Sequence, residues 1–192
     1  MTADPGWPTA RRKRVYKVDA IDPGESWCGL GRFELWPESR APGDGDYLDQ
    51  SKRGKIRLVE ALTLRPDDLH SALERDVYVL HHVVLERYSL YPWLAREQGY
   101  SELLTSQCVG VVKYIARRNG VPYTEQDAKG NLKAGRALAK EMGFRMKDRA
   151  LGSGRFKYRG PDFDLPGMPH RRDACSHGVV WAARDKSSPL TR

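Results

Sequence analysis

Between Val83 and Gln126 the chain runs through a short apolar stretch ending at Glu86, a segment with Leu104, Cys108, Val111, Val112 and Ile115 at helical intervals, and a second short stretch, "VPYTEQ". Strand, helix and strand in immediate succession form a βαβ unit, whose strands lie parallel and whose crossover is right-handed. The helix has a clear stop, with Arg117 and Arg118 in its last turn and Gly120 just beyond. Upstream, Val15 to Asp22 alternates loosely and breaks at Asp22-Pro23-Gly24, which is turn chemistry. A second strand is expected from Cys28 to Trp36 and a third from Ile56 to Leu64, after a loop rich in Gly, Pro and Asp. Three such strands imply an antiparallel meander. The expected fold is therefore α/β, with a mixed five-stranded sheet in which the meander is joined to parallel strands and flanked by helices. Those helices are predicted over Pro66 to about Leu80, Ser101 to Asn119, Lys129 to Met142 and about His170 to Asp185. Gly29 and Gly31 weaken the second strand and are expected to mark a close approach to its backbone.

At 192 residues with 40% hydrophobic content, the chain can fill one sizeable core, and one domain is expected over residues 15–192. Residues 1–14, "MTADPGWPTARRKR", carry prolines and a basic run without apolar periodicity, and are expected to form a mobile arm. No stretch approaches ~18 consecutive apolar residues and the first twenty are polar and basic, so a soluble cytoplasmic protein with no membrane partner is expected. Cys28, Cys108 and Cys175 are scattered and odd in number, which suggests neither a disulfide framework nor a structural zinc site. The net charge is +8, and Lys129 to Arg159 holds ten Lys or Arg against two acids, so this one segment accounts for the whole excess. Such a balance favours polyanion partners.

Two predicted strands end on a carboxylate, Asp22 on the first and Glu86 on the fourth. If they are neighbours running the same way, both acids stand at the edge where open α/β sheets bind ligands. In the final helix His170, Asp173 and His177 fall at i, i+3 and i+7, beside an apolar face of Ala174, Gly178, Trp181 and Ala182. A helix packed by that face could aim Asp173 at the same edge. Taken singly, each acid has a plain structural role: Asp22 capping a turn, Glu86 pairing with Arg87, Asp173 capping or solvating a helix turn. Taken together, three converging acids repel one another unless divalent cations neutralise them, and hard oxygen ligands favour Mg²⁺ or Mn²⁺.

The order β-β-β-α-β-α-β-α, with "AIDPGESWCGLGRF", "VVLERYSLYP" and "HRRDACSHGVVWA" carrying the acids, resembles the RNase H-like nuclease superfamily and, within it, the RuvC-type Holliday-junction resolvases and their phage relatives. The likeness runs from about Val15 to Trp181. It implies that Asp22, Glu86, His170 and Asp173 are catalytic metal ligands, because family members carry an acid or a histidine three residues before the final aspartate. It further implies two Mg²⁺ ions per site with Mn²⁺ possible, hydrolysis of four-way junctions and other branched DNA, and a homodimer with Ser101 to Asn119 as candidate interface. The chain departs from the pattern by an extra acid in the turn, Glu25, and by a Gly- and Pro-rich approach to the last helix.

Tyr88, Tyr91 and Trp93 follow Glu86 closely and could stack on an unpaired base or wedge into a junction; a hydrophobic cluster or a dimer contact is the plainer reading. Lys129, Lys133 and Arg136 are spaced for one helical face that could meet phosphates or simply be solvated. His177 is expected to support the site or pack, and His81 and His82 to be surface or core filler. Two other functions fit the same residues: a nuclease acting on RNA–DNA hybrids or flaps, and a non-catalytic basic DNA-binding protein.

Overall fold

The computed structural model describes residues 15–36, 48–50, 54–88, 101–141 and 168–191. Six strands form one sheet: β1 (Tyr16–Asp22), β2 (Cys28–Trp36), β3 (Leu48–Gln50), β4 (Gly54–Leu64), β5 (His82–Glu86) and β6 (Tyr123–Gln126), in the spatial order β3-β4-β2-β1-β5-β6. The pairs β1–β2, β2–β4 and β3–β4 are antiparallel, whereas β1–β5 and β5–β6 are parallel. The expected mixed sheet is present, and the three-residue β3 extends its meander edge. Among the described residues four α-helices accompany it: α1 (Pro66–Asp76), α2 (Ser101–Arg118), α3 (Ala128–Glu141) and α4 (Met168–Arg184).

Local sequence explains the boundaries. Proline opens α1, where its missing N–H costs nothing, and Asp67 and Asp68 face the positive end of the helix dipole. In α3 the backbone leaves helical geometry at Lys129 and Gly130, the latter at φ +89°, a conformation that glycine adopts without a steric penalty. The regular helix therefore begins after Gly130. Lys129 and Lys133 are both exposed, but Lys129 is part of that break and Lys133 follows it, so Lys129 does not continue the helical face that its spacing suggested.

The two-residue period of the strands sorts their side chains between two cores. On one face Ile21, Leu30 and Leu85 pack with Leu69 and Leu73 of α1 and Cys108, Val112 and Ile115 of α2. On the other, Val18, Ala20, Phe33, Leu35 and Val84 pack with Val179, Trp181 and Ala182 of α4. Fully removing a side chain of this size from water stabilises by about 1.5–3 kcal/mol, so both layers hold the sheet firmly between them. All three cysteines are free thiols, with Cys28 Sγ 3.7 Å from Cys108 Sγ in the first core.

α4 lies unusually close to β2, as the strand glycines implied. A Cβ on Gly29 would clash with the His170 carbonyl oxygen, and one on Gly31 would meet Cys175 Sγ at 3.1 Å. The missing side chains let the start of α4 lie directly on the sheet, next to the last residue of β1.

The N-terminal arm, Tyr91, Trp93, the Arg136 side chain and residues 142–159 of the basic segment lie outside the described residues. Tyr88 is described and packs against the core on the α1 and α2 side. It is one of the partly buried residues packed against that cluster.

Candidate active site

In the parallel pairing of β1 with β5, Asp19 stands opposite Val83 and Ile21 opposite Leu85, so the next position brings Asp22 level with Glu86. In the pairing of β5 with β6, Glu86 stands opposite Gln126. Three neighbouring parallel strands therefore end together on Asp22, Glu86 and Gln126. Their phase places all three on the α4 face, since Ala20 and Val84, two residues earlier, belong to the α4 core.

α4 meets each strand end with a side chain. His170 Nδ1 lies 2.9 Å from Asp22 Oδ2. Two turns further along, His177 Nε2 lies 3.0 Å from Glu86 Oε2, and its Nδ1 lies 2.9 Å from Gln126 Oε1. Arg172 Nε donates to Asp173 Oδ1 at 3.0 Å. Glu86 is not paired with its sequence neighbour, because Arg87 bonds Asp127 at 3.2 Å.

Burial sets the electrostatics. Asp22 is 6% exposed, and loss of hydration, with the nearby Glu86 and Asp173 carboxylates adding to it, pushes its carboxyl up to about 8. His170 is raised in turn, chiefly by its hydrogen bond to Asp22. One proton between Nδ1 and Oδ2 satisfies both shifts, so the pair retains a proton at neutral pH.

The four residues singled out from sequence thus lie at one end of the sheet, near enough for Glu86 and Asp173 to act on Asp22. They are paired off rather than gathered round a common centre: His170 on Asp22, His177 on Glu86, Arg172 on Asp173. Among the described residues no group of three or more His, Cys, Asp or Glu encloses a position for a metal ion. The donor set nevertheless suits a hard divalent cation in kind, and the crowding that drives Asp22 to hold a proton is what such a cation would relieve.

Sequence reasoning missed Gln126, although its place at the end of the third parallel strand, in phase with Asp22 and Glu86, was a usable signal. His82, read as filler, stacks on Trp181 with ring centroids 4.4 Å apart and lies 2.9 Å from Thr124 Oγ1.

No protein-family model and no curated protein sequence matches the chain. Solved structures do. Thermus thermophilus RuvC in complex with a Holliday junction substrate superposes with a TM-score of 0.55 at 16% identity, covering 89% of this chain and 97% of that one. A second structure of Thermus thermophilus RuvC gives 0.54 at 16% identity, covering 88% and 95%. The chain has the RuvC-type resolvase fold. Within that RuvC-type fold, the strand-end acids and the start of α4 occupy the carboxyl edge of the parallel strands, where α/β sheets characteristically bind ligands.

Proposed function

We propose that the chain is a metal-dependent, structure-selective endonuclease that cleaves Holliday junctions and other branched DNA. The observation that carries the reading is the pairing of Asp22 and Glu86 at adjacent parallel strand ends, each met by a histidine of α4, within a RuvC-type fold. The Thermus RuvC of that fold has been solved with a Holliday junction substrate, which favours a junction over other branched targets.

Asp22, Glu86, Asp173 and His170 would hold Mg²⁺, two ions per site, with Mn²⁺ an alternative. When bound, such ions lower the pKa of an attacking water and neutralise charge building on the scissile phosphate and its leaving 3′ oxygen, leaving a 5′ phosphate at the nick. The protein's own part is to fix the acids. β1 and β5 set Asp22 and Glu86 side by side, His177 orients Glu86, and His170 holds the proton that Asp22 must release before it can serve as a ligand. Without a cation, the three acids would repel a DNA phosphate.

A four-way junction has two-fold symmetry and its resolution needs two matched cuts, so the active species is proposed to be a homodimer. On α2, Leu104, Val111 and Tyr114 are exposed apolar residues at i, i+7 and i+10, a stripe that a second copy would cover. The net charge of +8 would draw the strands of the junction to the dimer.

The test is a comparison of labelled four-way junction, RNA–DNA hybrid and linear duplex, each incubated with Mg²⁺. Nicks confined to the junction support the reading. Cleavage of the hybrid alone would replace it with the hybrid-cleaving alternative, and binding without cleavage of any substrate would leave a DNA-binding protein.

A further inference from the structure

His177 is fully buried and both its ring nitrogens face a polar partner, Nε2 towards Glu86 and Nδ1 towards the Gln126 amide. A carboxylate only accepts, so the bond to Glu86 requires a hydrogen on Nε2. As placed, the Gln126 amide oxygen meets Nδ1 at 2.9 Å, and that nitrogen would then need a hydrogen as well. With the amide turned end for end, so that its NH₂ meets Nδ1, one hydrogen on the ring satisfies every group. The two ends of an amide have the same shape, so the hydrogen-bond partners decide which one faces the ring. Gln126 is itself buried and stands beside Glu86 in the β5–β6 register, so the ring spans two adjacent strand ends.

We propose that Gln126 is a positioning residue: its NH₂ donates to His177 Nδ1, fixes the ring with hydrogen on Nε2, and through that bond holds Glu86 Oε2. Among the described residues Glu86 Oε1 has no hydrogen-bond partner, so this grip keeps one oxygen engaged and leaves the other for a ligand. Groups that orient a ligating side chain in this way typically matter 10–100-fold, on the order of one to two decades, for metal affinity. The inference rests on the nuclease reading for its purpose, but not for its geometry. Gln126, unlike an acid, can donate to Nδ1 and so leave the single ring hydrogen on Nε2, facing Glu86. That gives the last residue of β6 a task that packing alone does not require.

Two measurements test it. Long-range proton–nitrogen correlation spectra of the full chain labelled with ¹⁵N-histidine, without added metal, read the His177 ring, assigned through the backbone of Ser176 and Gly178. The expected pattern is hydrogen on Nε2 and a bare Nδ1. Gln126→Glu can only accept, so it should draw a hydrogen onto Nδ1, and Gln126→Met should abolish the selection. Mn²⁺ titration followed by electron paramagnetic resonance should then show half-saturation raised about 10–100-fold in both variants. A wild-type ring with hydrogen on Nδ1, whether or not Nε2 also carries one, would overturn the proposal, as would folded variants that bind Mn²⁺ like wild type. Should a variant fail to fold, the wild-type spectrum alone still decides. A wild-type chain that neither binds Mn²⁺ nor cleaves junctions contradicts the nuclease reading, and the ring spectrum then still decides the tautomer.

Discussion

A carboxylate shut away from water must keep its proton or find a cation, and β1 carries one such group on each face. Asp22 points to α4 and the candidate site. Asp19, 2% exposed, points the other way, where Arg32 Nε lies 3.6 Å off but the same guanidinium bonds Asp76 at 2.7 Å and Glu60 at 3.2 Å. Burial, only partly offset by Arg32, raises the Asp19 carboxyl from 3.8 to about 7. The folded chain therefore keeps a proton that the unfolded chain releases. Stability contributed by that proton is complete below about pH 4 and is lost as pH rises towards 7. Asp19→Asn removes the dependence and leaves Arg32 its other two partners. Denaturant melts should show the variant gaining on wild type from pH 4 to 8, by a difference on the order of 2–4 kcal/mol. His82 has the opposite slope: burial lowers its ring from 6.5 to about 4, so its contribution is present above 6.5 and lost as pH falls towards 4. Subtracting the two melts isolates Asp19, because His82 is common to both. At Asp22 the same physics sets function against stability. Asp22→Asn removes a buried ionisable group, so its thermal midpoint at pH 8 should equal or exceed that of wild type while junction cleavage falls at least ~100-fold.

At the scale of elements, the site depends on how closely α4 lies against the sheet. With Gly29 leaving no space for a Cβ beneath the His170 carbonyl, Gly29→Ala must push the start of α4 off β2. Overpacking of this kind costs about 1–3 kcal/mol, and the displacement would carry His170 away from Asp22. Calorimetry should show a lowered midpoint, and cleavage should fall further than the loss of folded protein explains. This closeness was legible before any coordinates, because two glycines in an otherwise apolar strand have few other uses. The carboxylates were legible for a different reason: two strands that each end on an acid bring both acids to one sheet edge when they lie side by side and run the same way. What the sequence hid is pairwise. Nothing in the spacing of His170, Asp173 and His177 indicates that His177 rather than Asp173 reaches Glu86, since that depends on how far down the sheet α4 lies. Lys129 and Lys133 looked like one face until Gly130 broke the first turn of α3, a backbone choice that periodicity does not register. Tyr88, two residues past Glu86, packs partly buried against the core on the α1 and α2 side, a contact that its place in the sequence does not indicate.

For the whole molecule, charge and symmetry set the expectations. If α2 is the seam between two copies, placing a charge in its exposed stripe by Tyr114→Glu should convert dimer to monomer at micromolar concentration in light scattering, with the midpoint of unfolding nearly unchanged. A wild-type chain that stays monomeric with junction DNA present would contradict the symmetric arrangement. The most direct test of the central claim, that the carboxyl ends of β1 and β5 together with α4 form a nuclease centre, is nick mapping on a labelled four-way junction as Mg²⁺ is raised, for wild type, Asp22→Asn and Glu86→Gln. The account predicts paired, Mg²⁺-dependent nicks in opposite strands with wild type and none with either variant. Nicking by both variants at the wild-type rate, or an intact junction with wild type at every Mg²⁺ concentration, would contradict it.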